Sequence, residues 1–305
     1  MTRELAFLRP QSIAEATALL AEHGDDAKVV AGSTALTIML RNRLIDPAVL
    51  VSIGGIAGLK ELAVEGGILR LGALASHRTV ERDALVRRVL PVVAETFGKV
   101  ANVRVRNAAT VGGVMAEADY ASDPPAVFLG LDAVVVAEGP SGIRRISAQD
   151  FFVAFYETSL AHDEIVTAVE VPLPAAGTGA VYEKFVTRSS EDRPCVGVFA
   201  AARQDGQGGF AGIRVAVGAA AEIPQRFPDL EALGEGTDLG DDICRAIADG
   251  YAGRIETLDD VRGSAWYRTE MVRVWVRRAL EHARAASARA ASARAQAAGA
   301  AGAVA

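Results

Sequence analysis

Lys28-Val29-Val30-Ala31-Gly32-Ser33-Thr34-Ala35-Leu36 passes from β-branched residues through three small ones and back to apolar character. Val29 and Val30 suit a buried strand, and Gly32-Ser33-Thr34 suits a tight turn whose amides no bulky side chain covers. The run predicts strand, turn, helix, a place where several backbone N–H groups can converge on an anion.

Upstream, Ser12 with Glu15 three places on forms a capping box that starts a helix, which ends near His23-Gly24. Downstream, strands are expected at Val49–Ile53 and Ile68–Leu74, and a helix at Val80–Phe97 punctuated by Pro91. A second glycine turn, Thr110-Val111-Gly112-Gly113, precedes a further strand at Leu131–Ala137. Val171-Pro172-Leu173-Pro174-Ala175-Ala176-Gly177-Thr178-Gly179 has linker composition. Beyond it, strands are expected at Ala180–Phe185, Cys195–Arg203 and Gly212–Ala220, the last two joined by a hairpin loop. Helices are expected at Leu239–Tyr251 and Ala265–His282. From Ala283 the chain repeats Ala-Arg-Ala-Ala-Ser and thins to Ala and Gly, which predicts a frayed helix or disorder with no face able to dock firmly. The expected division is 1–175, 178–284 and a low-complexity tail at 285–305.

The 305 residues are half hydrophobic, enough for two ordinary cores. Lys plus Arg number 32 against 38 acidic residues, a net charge of −6, and the basic residues are dispersed, so nucleic acid is not an expected partner. Two cysteines outside any CxxC spacing cannot house a zinc knuckle or an iron–sulfur cluster within this chain alone. The charged Met1–Phe7 segment and the lack of a long apolar run predict no signal peptide and no membrane span, hence a cytoplasmic protein.

Either glycine turn alone reads as a tight connection, but two of them could face one dinucleotide pyrophosphate. The pair gains force because the chain resembles the FAD-binding subunits of the xanthine dehydrogenase and carbon monoxide dehydrogenase family. The resemblance runs through Phe7-Leu8-Arg9-Pro10, Ala31-Gly32-Ser33-Thr34 and Arg106-Asn107-Ala108-Ala109-Thr110-Val111-Gly112-Gly113. It continues in Asp123-Pro124-Pro125-Ala126, Leu131-Asp132-Ala133, Thr158-Ser159-Leu160 and Glu164-Ile165-Val166. It resumes after the linker in Tyr182-Glu183-Lys184-Phe185 with Arg188 and Asp192, Val217-Gly218-Ala219 with Pro224, and Arg262-Gly263-Ser264-Ala265-Trp266-Tyr267-Arg268.

The resemblance implies an α+β chain: a two-subdomain FAD-binding domain of the PCMH type, similar to vanillyl-alcohol oxidase, followed by a smaller α+β domain with an antiparallel sheet. It implies that Val29, Val30, Ala31, Gly32, Ser33, Thr34, Ala35 and Leu36, with Thr110, Val111, Gly112, Gly113 and Val114, cradle the FAD pyrophosphate. Asp123 would meet the adenosine ribose, Val100 and Val166 would line the nucleotide pocket, and Lys184, Asp192 and Arg193 would lie near the flavin. Three positions depart from the family pattern. Ser33 replaces a usual glycine, Val114 a usual asparagine, and Arg193 a Tyr or aliphatic residue.

FAD is therefore the one cofactor expected here. Partner subunits would carry two [2Fe–2S] clusters and the molybdenum cofactor, in a dimer of heterotrimers that passes electrons to an external acceptor. Two other functions stay open: a self-contained flavin oxidase or reductase, and a non-catalytic FAD-binding assembly or sensor protein. His23, His77, His162 and His282 lack metal-ligand spacing and read as surface or capping residues. Glu117 and Asp119 read as solvated acids, Arg104 and Arg106 as exposed or salt-bridged, and Ser190 and Cys195 have no nearby base.

Overall fold

Ser12 accepts the Glu15 amide at 3.1 Å, and Glu15 Oε2 accepts from the Gln11 amide at 2.7 Å, closing the predicted helix start. Gly24 ends that helix at φ +51, a conformation that costs glycine little. The computed structural model describes the backbone of residues 5–302 and the side chains of 5–292. Residues 1–4 and 303–305, the extremes of the charged N-terminus and the Ala-rich tail, lie outside the described residues. The chain divides into two compact units, one bounded as Met1–Asp119 with Asp132–Leu173, the other as Tyr120–Leu131 with Pro174–Ala305.

The first unit opens with β1 (Ala6–Leu8), α1 (Ile13–His23), β2 (Ala27–Val30), α2 (Leu36–Arg41) and β3 (Val49–Ser52). The strands form a parallel sheet in the order β1-β3-β2, with helical crossovers supplying the returns that parallel pairing requires. Ala16 and Leu20 of α1 pack with Ala27, Val49 and Val51 of the sheet. β4 (Leu62–Glu65) and β5 (Ile68–Gly72) follow, then a helical run: α3 (His77–Arg82), α4 (Ala84–Val89), α5 (Pro91–Lys99), α6 (Val103–Ala108) and α7 (Val111–Glu117). The helix expected at Val80–Phe97 is broken twice. Asp83 accepts the amides of Leu85 and Val86 at 2.8 and 3.0 Å and caps a new helix, and Pro91 begins a third.

α8 (Pro124–Gly130) belongs to the second unit; the first resumes with β6 (Val134–Gly139), β7 (Gly142–Ser147), α9 (Ala148–Phe151), β8 (Phe152–Ala154), β9 (Glu157–Thr158) and β10 (Ile165–Pro172). A five-stranded antiparallel sheet in the order β4-β5-β10-β6-β7 results. Its centre, β10, is buried along its length up to Val171. Such a strand lacks the apolar–polar alternation that marks a half-exposed one, so it has no period to read.

The second unit holds β11 (Thr178–Phe185), β12 (Val196–Gln204) and β13 (Phe210–Gly218) in an antiparallel sheet, with α10 (Pro228–Glu231), α11 (Asp241–Arg254) and α12 (Ala265–Gly302). Val198, Ala200, Val215 and Val217 pack with Ile247, Tyr251, Val272 and Val276 to form its core. α8 joins this unit because Gly130 has no side chain to strike the Phe199 ring and Gly218 leaves room for Ala126. The expected linker is narrower than its composition implies, since β10 runs to Pro172 and β11 starts at Thr178.

The Ala-rich tail departs from expectation more sharply: α12 continues to Gly302, and Ala283 and Ser287 are fully buried. Ser287 Oγ donates to the Gly177 carbonyl at 2.9 Å and accepts from the Gln204 amide at 3.1 Å. Gly179 has no Cβ to collide with the helix backbone at Ala283–Ser287, so small residues on both sides allow close approach. The missing large apolar side chains are what make the docking fit.

Candidate functional site

β2 delivers the chain directly into the predicted turn. Thr37 returns its amide to the Ser33 carbonyl at 3.0 Å, and Ile38 and Met39 return theirs to Ala35 at 2.9 and 3.0 Å. Before these bonds begin, the amides of Gly32, Ser33, Thr34, Ala35 and Leu36 have no protein acceptor among the described residues, and all five residues are half-buried. Half-buried donors without acceptors favour an anionic ligand over a bare apolar wall. Ser33 holds this shape at φ +59, in the left-handed region. A methyl group at Gly32 would collide with the Ala108 carbonyl, so glycine is required for the turn to lie against the end of α6.

The second glycine segment is built differently from expectation. Thr110 caps α7, accepting the Gly113 amide on Oγ1 at 3.1 Å and the Val114 amide on its carbonyl at 3.0 Å. Val111 donates to Ala75 O at 3.0 Å and Gly112 to Ala73 O at 2.8 Å. The amides from Val111 to Val114 are thus already engaged, because the segment is a capped helix start laced to residues 73–77 and not an open turn. Gly112 is needed for that lacing, since a methyl there would sit 2.7 Å from Ala73 Cβ. Val114 is buried in α7.

Around this segment, Arg106 pairs with Glu81 at 3.0 Å and donates to the carbonyls of Val100 and Ala101 at 2.9 and 2.7 Å. The guanidinium thereby fixes the α5–α6 connection that carries Val100. Burial alone would raise the Glu81 carboxyl, but Arg78 and Arg106 hold it below its ordinary value. His77, read from sequence as surface or capping, is only 2% exposed. Its ring meets Phe97 edge-on at 4.8 Å and its Nε2 lies 3.3 Å from the Thr110 carbonyl. Burial pushes its pKa down to about 4, so the ring is neutral at physiological pH. Asp119, expected to be solvated, is also buried; Ala118 at φ +47 turns the chain inward after α7.

In the second unit Asp123, at the start of α8, accepts from Tyr182 Oη at 2.9 Å and from Lys184 Nζ at 3.0 Å. Tyr182 and Lys184 are two apart on β11 and share one face of the sheet. The Lys184 and Asp123 side chains are 6% and 4% exposed, so both charges are taken from water together. Burial, then the Asp123 charge, pushes the Tyr182 hydroxyl well above its ordinary pKa. No local motif marks Tyr182 as functional, and its i, i+2 spacing to Lys184 is the signal that places the two on one strand face. Asp192 lies in the β11–β12 loop, accepts the Ser189 amide at 3.3 Å and stands 3.5 Å from Arg188 Nε. Arg193 is exposed in the same loop, while Val166 is buried in β10.

Residues 3–174 match the family model described as the FAD binding domain in molybdopterin dehydrogenase, and residues 180–283 match the CO dehydrogenase flavoprotein C-terminal domain. The chain belongs to the FAD-binding subunit family of the molybdenum hydroxylases. This flavoprotein subunit is 34% identical to the nicotine 6-hydroxylase medium subunit of Paenarthrobacter nicotinovorans, over 92% of this chain and 98% of that one. It is 33% identical to the carbon monoxide dehydrogenase medium chain of Hydrogenophaga pseudoflava, over 90% and 95% of the two chains. The solved carbon monoxide dehydrogenase of Hydrogenophaga pseudoflava superposes with a TM-score of 0.90 at 34% identity, covering 93% of this chain and 99% of that chain. The fold is accordingly the PCMH-type FAD-binding fold followed by a smaller α+β domain, and the cofactor is FAD. Among the described residues no helix is long and apolar enough to cross a membrane, and no cluster of His, Cys, Asp or Glu could hold a metal ion.

Proposed function

We propose that the chain is the electron-transferring FAD subunit of a molybdenum-containing hydroxylase, working between [2Fe–2S] clusters on a small partner and an external acceptor. Substrate oxidation belongs to a large partner that carries the molybdenum cofactor, and the assembly is a dimer of heterotrimers. The observation that carries this reading is the run of five uncommitted amides from Gly32 to Leu36, which is fitted to a pyrophosphate and sits in the matched FAD-binding domain. The names of the medium-chain relatives support the multi-subunit setting. Cys195 and Cys244 are buried thiols, which suits a reducing cytoplasm.

When bound, FAD supplies a redox centre able to exchange electrons with both clusters and a soluble acceptor. The residues of this chain bind and tune it. Val29 and Val30 aim the turn, Ala31 to Leu36 grip the pyrophosphate, and Thr110 to Val114 form a rigid backing whose donors are used internally. Val100 and Val166 give apolar lining. Asp123, held by Tyr182 and Lys184, meets the adenosine ribose. Lys184, Asp192 and Arg193 set the electrostatics of the flavin end.

The test is purification of the tagged chain from its native host, with metal analysis and identification of co-purifying chains. Two partners, iron, molybdenum and FAD together are expected. A lone chain whose flavin is reduced directly by a small substrate would instead mark a self-contained oxidase, and a lone chain with inert flavin a binding protein.

A further inference from the structure

His77 is a buried imidazole with two polar atoms, only one of which has a partner. Nδ1 is sealed from solvent with no hydrogen bond among the described residues. Nε2 faces the Thr110 carbonyl at 3.3 Å. A carbonyl can only accept, so Nε2 carries the proton and Nδ1 is a bare, buried lone pair on a ring packed edge-on against Phe97. A phenyl ring of similar size would avoid the roughly 1–3 kcal/mol penalty of that unsatisfied atom. What imidazole adds over phenyl is the Nε2–H bond to Thr110.

That bond joins a dense seam. The His77 amide donates to Ala109 O at 2.9 Å, and Val111 and Gly112 donate back to Ala75 and Ala73. The ring supplies a side-chain bond within the seam, and it lands on the residue that caps α7. One residue before Ala109 is Ala108, whose carbonyl presses against Gly32 and supports the turn with the five uncommitted amides.

We propose that His77 is a positioning residue for the flavin nucleotide: by donating Nε2–H to Thr110 it fixes the backing on which the Gly32–Leu36 amide turn rests. The inference depends on the FAD reading given above and adds a residue that touches neither the turn nor its ligand. It assigns the imidazole a geometric task, distinct from filling space in the core.

The experiment measures FAD dissociation from the full-length chain in wild type, H77F, H77Q and H77N, together with the thermal midpoint of each apoprotein. Gln places an N–H donor where Nε2 stands, Phe keeps the ring without a donor, and Asn has a donor too short to reach. H77F and H77N are expected to weaken FAD binding about tenfold, the factor equivalent to one lost hydrogen bond. H77Q is expected to stay near wild type, even where its apo midpoint is lower than that of H77F. Binding that follows apo stability, with H77F tight and H77Q weak, would overturn the proposal by reducing His77 to core packing. If H77F does not fold, H77N against H77Q gives the same contrast. Wild type that takes up no FAD would defeat the functional reading itself, whereas variants indistinguishable from an FAD-binding wild type would defeat this inference alone.

Discussion

The Lys184 ammonium lies 3.0 Å from Asp123 Oδ2, with both side chains almost wholly withdrawn from water and Tyr182 bonded to the other carboxylate oxygen. Two residues far apart in sequence, each expected to serve the cofactor, therefore also hold β11 to the start of α8. Removing one partner strands the other charge, a loss of roughly 3–5 kcal/mol. K184M should accordingly lower the thermal midpoint sharply, and the double variant D123N/K184M should recover much of that loss. Equal midpoints for K184M and the double variant would show that the pair is not coupled.

Ser33 occupies a left-handed conformation at φ +59. A side chain there costs roughly 1–2 kcal/mol relative to glycine. S33G should raise the stability of the apoprotein by about 1 kcal/mol, measured by thermal denaturation without added flavin. A lower midpoint would mean that the serine hydroxyl contributes more than the backbone strain removes.

The two glycine segments should respond unequally to alanine. G32A drives a methyl into the Ala108 backbone and should abolish FAD retention, read as loss of the visible flavin absorbance after desalting. In G113A the methyl meets only the Thr110 hydroxyl at 2.8 Å, so the cost is that of a weakened helix cap, about 1 kcal/mol, with FAD retained. Tight binding by G32A would remove the amide turn from the site.

Acid should destabilise the protein in two separable steps. His77 has a folded pKa of about 4 against an ordinary 6.5, so between these values the unfolded chain binds a proton that the folded chain refuses. Its effect is absent above 6.5, grows as pH falls, and levels off below about 4, with a full swing on the order of 3 kcal/mol. Burial would raise Asp260, but the Tyr120 hydroxyl, the Arg262 amide and the Arg268 guanidinium outweigh it and hold the carboxyl at about 2. Its stabilising contribution, present above its ordinary 3.8, is lost as pH falls from there towards 2. The thermal midpoint of H77F should therefore be flatter than wild type between pH 6.5 and 4, and parallel to it below. Parallel curves throughout would contradict a buried neutral His77.

Arg193 is exposed in the β11–β12 loop, where the family resemblance puts the flavin end of the site. A cation near the flavin favours its negatively charged reduced form. R193Y should lower the flavin midpoint potential in a spectroelectrochemical titration, and an unchanged potential would place the guanidinium too far from the cofactor to act on it.

By itself the sequence determined what depends on neighbours along the chain. Ser12 and Glu15 set a helix start, Gly24 its end, and the Val-Val-Ala-Gly-Ser-Thr run set a strand delivered into an amide turn, because capping and turn chemistry act over a few residues. Family likeness along the chain supplied the cofactor. Tertiary structure decided what depends on distant partners: that β10 is a central strand, that α8 packs with β12 and β13, and that the alanine-rich helix docks through Ala283 and Ser287. It also decided that the amides after Thr110 are used internally and that His77 is buried against that cap. Burial and hydrogen-bond satisfaction are settled by which surfaces meet in space, and a glycine, alanine or lone histidine carries no local signal of what will lie against it.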